Sequence, residues 1–126
     1  MPRPAAQGFL PCFQYYCFGK YPIADLYGNR VYLDKLKKLL VSALDVQSLI
    51  ELRTKHGIGR EIRPIRPGDA ESERIIEDAG YPHQLYRIDY GDTPFRIVFG
   101  IQPCPKLIHI VMIDTKHKTY SGKNRR

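Results

Sequence analysis

LYRIDYGDTPFRIVFGIQPCPKLIHIVMID, residues 85–114, decides the fold. It reads as three strands joined by two short turns. Leu85 to Tyr90 alternates, and Phe95, Ile97, Phe99 and Ile101 share one face of a second strand. Lys106 to Asp114 is almost continuously apolar, which fits a central strand buried on both faces. Gly91–Pro94 and Pro103–Pro105 supply the turns. Connections this short make consecutive strands antiparallel, a meander.

Upstream, residues 1–10 read as a flexible tail and CFQYYCFG (12–19) as a β-prone first strand. Pro22 and Gly28-Asn29 punctuate a loop. Asp34 is a candidate helix cap, followed by Leu36, Leu39, Leu40, Ala43 and Leu44 at helical spacing. Val46, Leu49, Ile50 and Leu52 prolong the stripe, so 34–55 is expected to be helical with a break near 45 and a stop at Gly57. GIGREIRPIRPGD (57–69) is too punctuated for a helix and leaves room for an edge strand at 61–65. Asp69 caps a short helix that ends at Gly80. The expected class is α+β: an N-terminal strand and a helical hairpin packed on one face of an antiparallel sheet that ends in a three-strand meander. The 126 residues suffice for a single domain, 1–126.

Twenty Lys and Arg oppose thirteen Asp and Glu, a net charge of +7. That excess favours an anionic partner, nucleic acid first, over a basic protein without one. No run is long and apolar enough for a transmembrane helix or a secretory signal, so the expectation is a cytoplasmic protein with no membrane partner. Cys12, Cys17 and Cys104 are odd in number and lack CxxC spacing. They read as free thiols, with neither a disulfide framework nor a metal site.

Two arginines interrupt the meander. If Tyr90 pairs with Phe95 across the turn, Asp89 lies opposite Arg96 and Arg87 opposite Val98. Arg87 and Arg96 are then diagonal neighbours about 7–8 Å apart, within joint reach of one phosphate. All three should emerge on the sheet face that the helices leave uncovered. The plainer alternative is an exposed Asp89–Arg96 pair of about 0.2–1 kcal/mol. The segment DTKHKTYSGKNRR (114–126) follows directly, with Lys116, His117, Lys118 and Tyr120, then Lys123, Arg125 and Arg126. Cations bind phosphate, a tyrosine ring stacks on a base, and histidine exchanges a proton near neutrality. A basic tail without such a role is the competing explanation. Arg63 and Arg66 add a basic loop that either contacts phosphate or is simply solvated. His109, within an apolar run, reads as a core or edge residue; His56 ends a helix and His83 lies in a loop.

YRIDYGDTPFRIVF, the apolar strand and KHKTY together resemble the C-terminal half of the RelE/ParE toxin superfamily over roughly residues 84–120. The superfamily includes RelE-like and HigB-like mRNA interferases of type II toxin–antitoxin systems. The resemblance implies a metal-independent endoribonuclease without cofactor, cutting mRNA on the ribosome as a ribose 2′-hydroxyl attacks the adjacent phosphate. It also implies a cognate acidic antitoxin. By position, Arg87 and Arg96 match the phosphate-gripping residues, Lys116, His117 and Lys118 the terminal basic cluster, and Tyr120 its closing tyrosine. Asp89 stands where some members carry lysine, which leaves the general base open between Asp89 and His117. Arg63, Arg66, Lys116, Lys123, Arg125 and Arg126 are the candidate RNA-binding residues. The alternatives are a ParE-like DNA gyrase inhibitor and a non-catalytic RNA-binding domain. On the endoribonuclease assignment, Arg96→Ala should abolish activity and leave the fold intact.

Overall fold

The computed structural model describes residues 8–55, 62–91 and 93–116. It is an α+β fold in which one five-stranded sheet carries the helices. The strands are β1 (Leu10–Cys12), β2 (Ile62–Ile65), β3 (Leu85–Asp89), β4 (Arg96–Pro103) and β5 (Lys106–Asp114). Their order across the sheet is β1-β5-β4-β3-β2. The meander β3-β4-β5 is antiparallel, and β2 adds to β3 antiparallel as an edge strand. β5 is interior, as its apolar run requires, but β4 holds the middle of the sheet.

The sheet is mixed, because β1 runs parallel to β5. The N-terminal expectation needs correction on two counts. Residues 8–10 are not a tail: Phe9 is buried, its N–H donates to the Ala43 carbonyl at 2.8 Å, and Leu10 opens β1. Residues 1–7 lie outside the described residues. The aromatic run 12–19 is a loop beyond Cys12. Its β-propensity yields to β5 contacts that no strand pairing would provide. The Cys17 N–H donates to the Val111 carbonyl at 2.9 Å, and the Tyr16 hydroxyl accepts from Ile113 N–H at 3.2 Å. Tyr16 in turn donates to the Tyr21 carbonyl at 2.7 Å. These bonds gather where the β4–β5 register shifts and Val111 has no β4 partner.

The helices are α1 (Arg30–Leu44), α2 (Leu49–Lys55) and α3 (Ala70–Ala79). The break near 45 is present. Helix α1 starts earlier than expected, because Asn29 is its cap and accepts from Tyr32 N–H at 3.1 Å; Asp34 lies inside the helix. Leu36, Leu39 and Ala43 bury its inner stripe. The Ser48 hydroxyl accepts from Glu51 N–H at 3.2 Å at the start of α2. Asp69 caps α3 by accepting from Ser72 N–H at 2.8 Å, and Gly80, at φ 60°, closes it.

The helices do not share one sheet face. Tyr32 of α1 stacks on Phe95 at 4.4 Å, and Lys35 of α1 sits over the Tyr90 ring at 5.2 Å. Arg96, which alternates with those positions, instead reaches Glu71 of α3 at 3.8 Å. So α1 covers one face, and α3 covers the face expected to be bare. Among the described residues no helix is long and apolar enough to cross a membrane.

A Cβ added at Gly8 would lie 2.3 Å from the Ala43 carbonyl oxygen, a backbone atom that cannot swing aside. Gly8→Ala should therefore destabilise the fold by about 1–3 kcal/mol, read as a lower urea midpoint at unchanged slope.

Candidate functional site

The β3–β4 register is the one the turn dictates: Asp89 opposite Arg96 and Arg87 opposite Val98. Gly91, at φ 62°, makes the turn. Thr93 fastens it, its hydroxyl donating to the Tyr90 carbonyl at 2.6 Å and accepting from Phe95 N–H at 3.2 Å. Both arginine side chains converge on Asp89. Arg96 Nε donates to Asp89 Oδ1 at 2.7 Å, and Arg87 Nε lies 3.5 Å from Asp89 Oδ2.

The surroundings are not those of an exposed pair. The Arg96 side chain is only 5% exposed, against 23% for that of Arg87 and 31% for that of Asp89. Glu71 Oε2 lies 3.8 Å from Arg96 Nη1. On the other side of Arg96 in register stands Asp114, 1% exposed, whose Oδ1 accepts from Lys116 N–H at 3.0 Å. Two carboxylates, Asp89 and Glu71, thus flank the Arg96 guanidinium, and Asp89 also meets Arg87. Burial pulls the Arg96 pKa down; Asp89 raises it, Arg87 lowers it and Glu71 raises it again. A guanidinium stays charged through shifts of this kind, so Arg96 is a fixed cation and not a base.

The other candidates divide. Arg63 pairs with Arg87 in the β2–β3 register and is exposed, which extends a basic row to the sheet edge. Arg66 is exposed in the loop after β2. The Lys116 ammonium leaves the cluster and lies 3.7 Å from Asp25 Oδ1. His117, Lys118, Tyr120, Lys123, Arg125 and Arg126 lie outside the described residues, as does His56. Two participants were missed from the sequence, Glu71 and Asp114. AESER reads as a solvated first turn, and Asp114 reads as the polar end of an apolar strand. Only the β4–β5 register, with its shift between Val98 and Phe99, sets Asp114 opposite Arg96.

A second polar cluster sits farther along the sheet. His109 is buried, with Nε2 2.9 Å from Gln102 Oε1 and its ring 5.4 Å from Tyr15 and 5.1 Å from Tyr81. Its Nδ1 and the Tyr81 hydroxyl make no hydrogen bond among the described residues. Burial, then His83, holds the His109 pKa below 6.5. Burial is also the main cause of the raised Tyr81 pKa. Among the described residues no three His, Cys, Asp or Glu side chains are placed to hold a metal ion.

No family model, curated protein or solved structure matches the chain.

Two outcomes follow from this geometry. Arg96→Ala takes the buried cation away from Asp89 and Glu71 and should cost about 2–4 kcal/mol, less than a fully buried pair because Asp89 keeps Arg87 and some water. Arg87→Ala should cost under about 1 kcal/mol, and urea titration of both variants checks the contrast. Arg96→Ala is thus not the clean probe of function that the sequence suggested. For His109 the folded pKa is depressed, so its contribution is fully present above the unfolded value of about 6.5 and is lost as pH falls through the folded value. Stability should fall as the pH drops below about 6.5, and His109→Leu should flatten that slope in thermal melts.

Proposed function

We propose that the chain is a toxin of the RelE/ParE kind, a metal-independent endoribonuclease directed at mRNA. One observation carries this assignment: the ladder that brings Arg87, Asp89 and Arg96 onto one face, with KHKTY following directly from the end of β5. The element order of strand, helical pair and closing meander and the net charge of +7 agree with it.

The chemistry distributes over the residues as follows. Arg87, partly exposed, and Arg63 beside it hold the substrate phosphates. Arg96 fixes Asp89 through the 2.7 Å bond and adds its charge to the same phosphate site. Asp89 or His117 removes the 2′-hydroxyl proton, and the 2′-oxygen attacks the adjacent phosphorus while the 5′-oxygen departs. Lys118 supports the leaving oxygen, and Tyr120 stacks on a base. Arg66, Lys116, Lys123, Arg125 and Arg126 add electrostatic attraction for the strand. The partner this assignment requires is an acidic antitoxin that neutralises the same residues.

The burial of Arg96 between Asp89 and Glu71 favours a second reading, a non-catalytic RNA-binding domain that relies first on the more exposed Arg63, Arg66 and Arg87.

Expression of the chain alone separates them. The endoribonuclease gives growth arrest and transcripts ending in 2′,3′-cyclic phosphate, with Arg87→Ala lowering cleavage by about tenfold or more. Salt-sensitive RNA binding with intact transcripts selects the second reading; Arg63→Ala and Arg87→Ala should then each reduce the slope of log affinity against log salt by about one. Neither cleavage nor RNA binding defeats both.

A further inference from the structure

Charge along the chain is unevenly placed. Five of the thirteen carboxylates, Asp69, Glu71, Glu73, Glu77 and Asp78, fall within the cap and body of α3, against one cation, Arg74. The most acidic segment of a basic protein lies over the face that carries its arginines, and its first turn makes the contact. Glu71 Oε2 meets Arg96 Nη1 at 3.8 Å, farther than Asp89 Oδ1 lies from Nε. Glu71 at that position also complements the positive end of the α3 dipole.

The buried side of the helix is short, and partly buried Ile76 packs against the core beside it. Ile75 and Ala79 are its fully buried residues. Its far end is fastened by Lys20 Nζ to Asp78 Oδ2 at 3.2 Å and by the Cys17 thiol, which donates to the Asp78 carbonyl at 3.3 Å. Gly68, at φ 145°, and Gly80, at φ 60°, flank it, and a Cβ at either would meet no atom within 4 Å. Both ends of α3 therefore emerge from open, glycine-bearing joints.

We propose that α3 is an internal acidic cover: Glu71 occupies the place that an RNA phosphate takes beside Arg96 and Arg87, and RNA binds fully only when α3 moves off the face. This rests on the RNA-directed reading above. A phosphate diester is an anion with two acceptor oxygens, so it replaces the carboxylate at Arg96 without leaving that buried cation unpaired. Internal competition of this kind weakens RNA binding by the free energy that holds the helix down.

The test uses the full chain and a short 2′-O-methyl oligoribonucleotide, which cannot be cleaved. Glu71→Gln should bind it about five- to tenfold more tightly than the unaltered chain. Glu73→Gln, which removes the same charge from an exposed position of the same turn, should change affinity far less. Asp78→Cys, with Cys12 and Cys104 replaced by serine, sets a second thiol beside Cys17; oxidation should tie α3 down and weaken binding by about tenfold, with recovery on reduction. Equal affinities for Glu71→Gln and Glu73→Gln, or for the oxidised and reduced forms, overturn the cover while leaving RNA binding in place. Absence of binding by every form, Glu71→Gln included, overturns the RNA-directed reading and the cover with it.

Discussion

The Asp89–Arg96 ion pair is the constraint around which this end of the molecule is built. It closes the β3–β4 ladder, and it is nearly dry on the arginine side. A guanidinium removed from water needs acceptors, and two neighbouring elements supply them. β3 gives Asp89 and α3 brings Glu71, while Asp114 of β5 lies opposite Arg96 in register. The arginine therefore ties β4 to its neighbouring strand β3 and to a helix that is distant in sequence. It also explains why α3 packs on a face that a hydrophobicity pattern would leave to solvent.

The same arrangement bears on function. A row of cations open to solvent invites phosphate directly. A row in which one cation is already shared among carboxylates binds phosphate only in exchange for one of them. Arg63 and Arg87 are the accessible members of the row, and Arg96 is its anchor. An endoribonuclease and an RNA-binding domain would use these residues differently, but both need the outer two to meet the strand.

The meander was legible because its signals are local. Alternation, a Gly-Asp turn and a nine-residue apolar strand fix the Asp89–Arg96 register within one hairpin, and the structure has that register. The cap at Asp69 and the stop at Gly80 were legible for the same reason, each acting within a turn of its helix. The N-terminus was not. CFQYYCFG has strand propensity, yet Tyr16 and Cys17 spend their hydrogen bonds on Ile113 and Val111, nearly a hundred residues away. The Asn29 cap was mistaken for loop punctuation because an asparagine serves both purposes and only the bond to Tyr32 distinguishes them.

The sequence by itself determined the α+β class, the order of elements and the pairing that sets Arg87 and Arg96 on one face. These depend on period and turn chemistry, which act over a few residues. Only the tertiary structure decided that the face is covered, that Glu71 reaches the arginine and Asp114 lies opposite it in register, and that β1 runs parallel beside β5. Burial and long-range pairing are properties of which surfaces meet, and a charged residue in a strand has the same period whether it faces water or a helix.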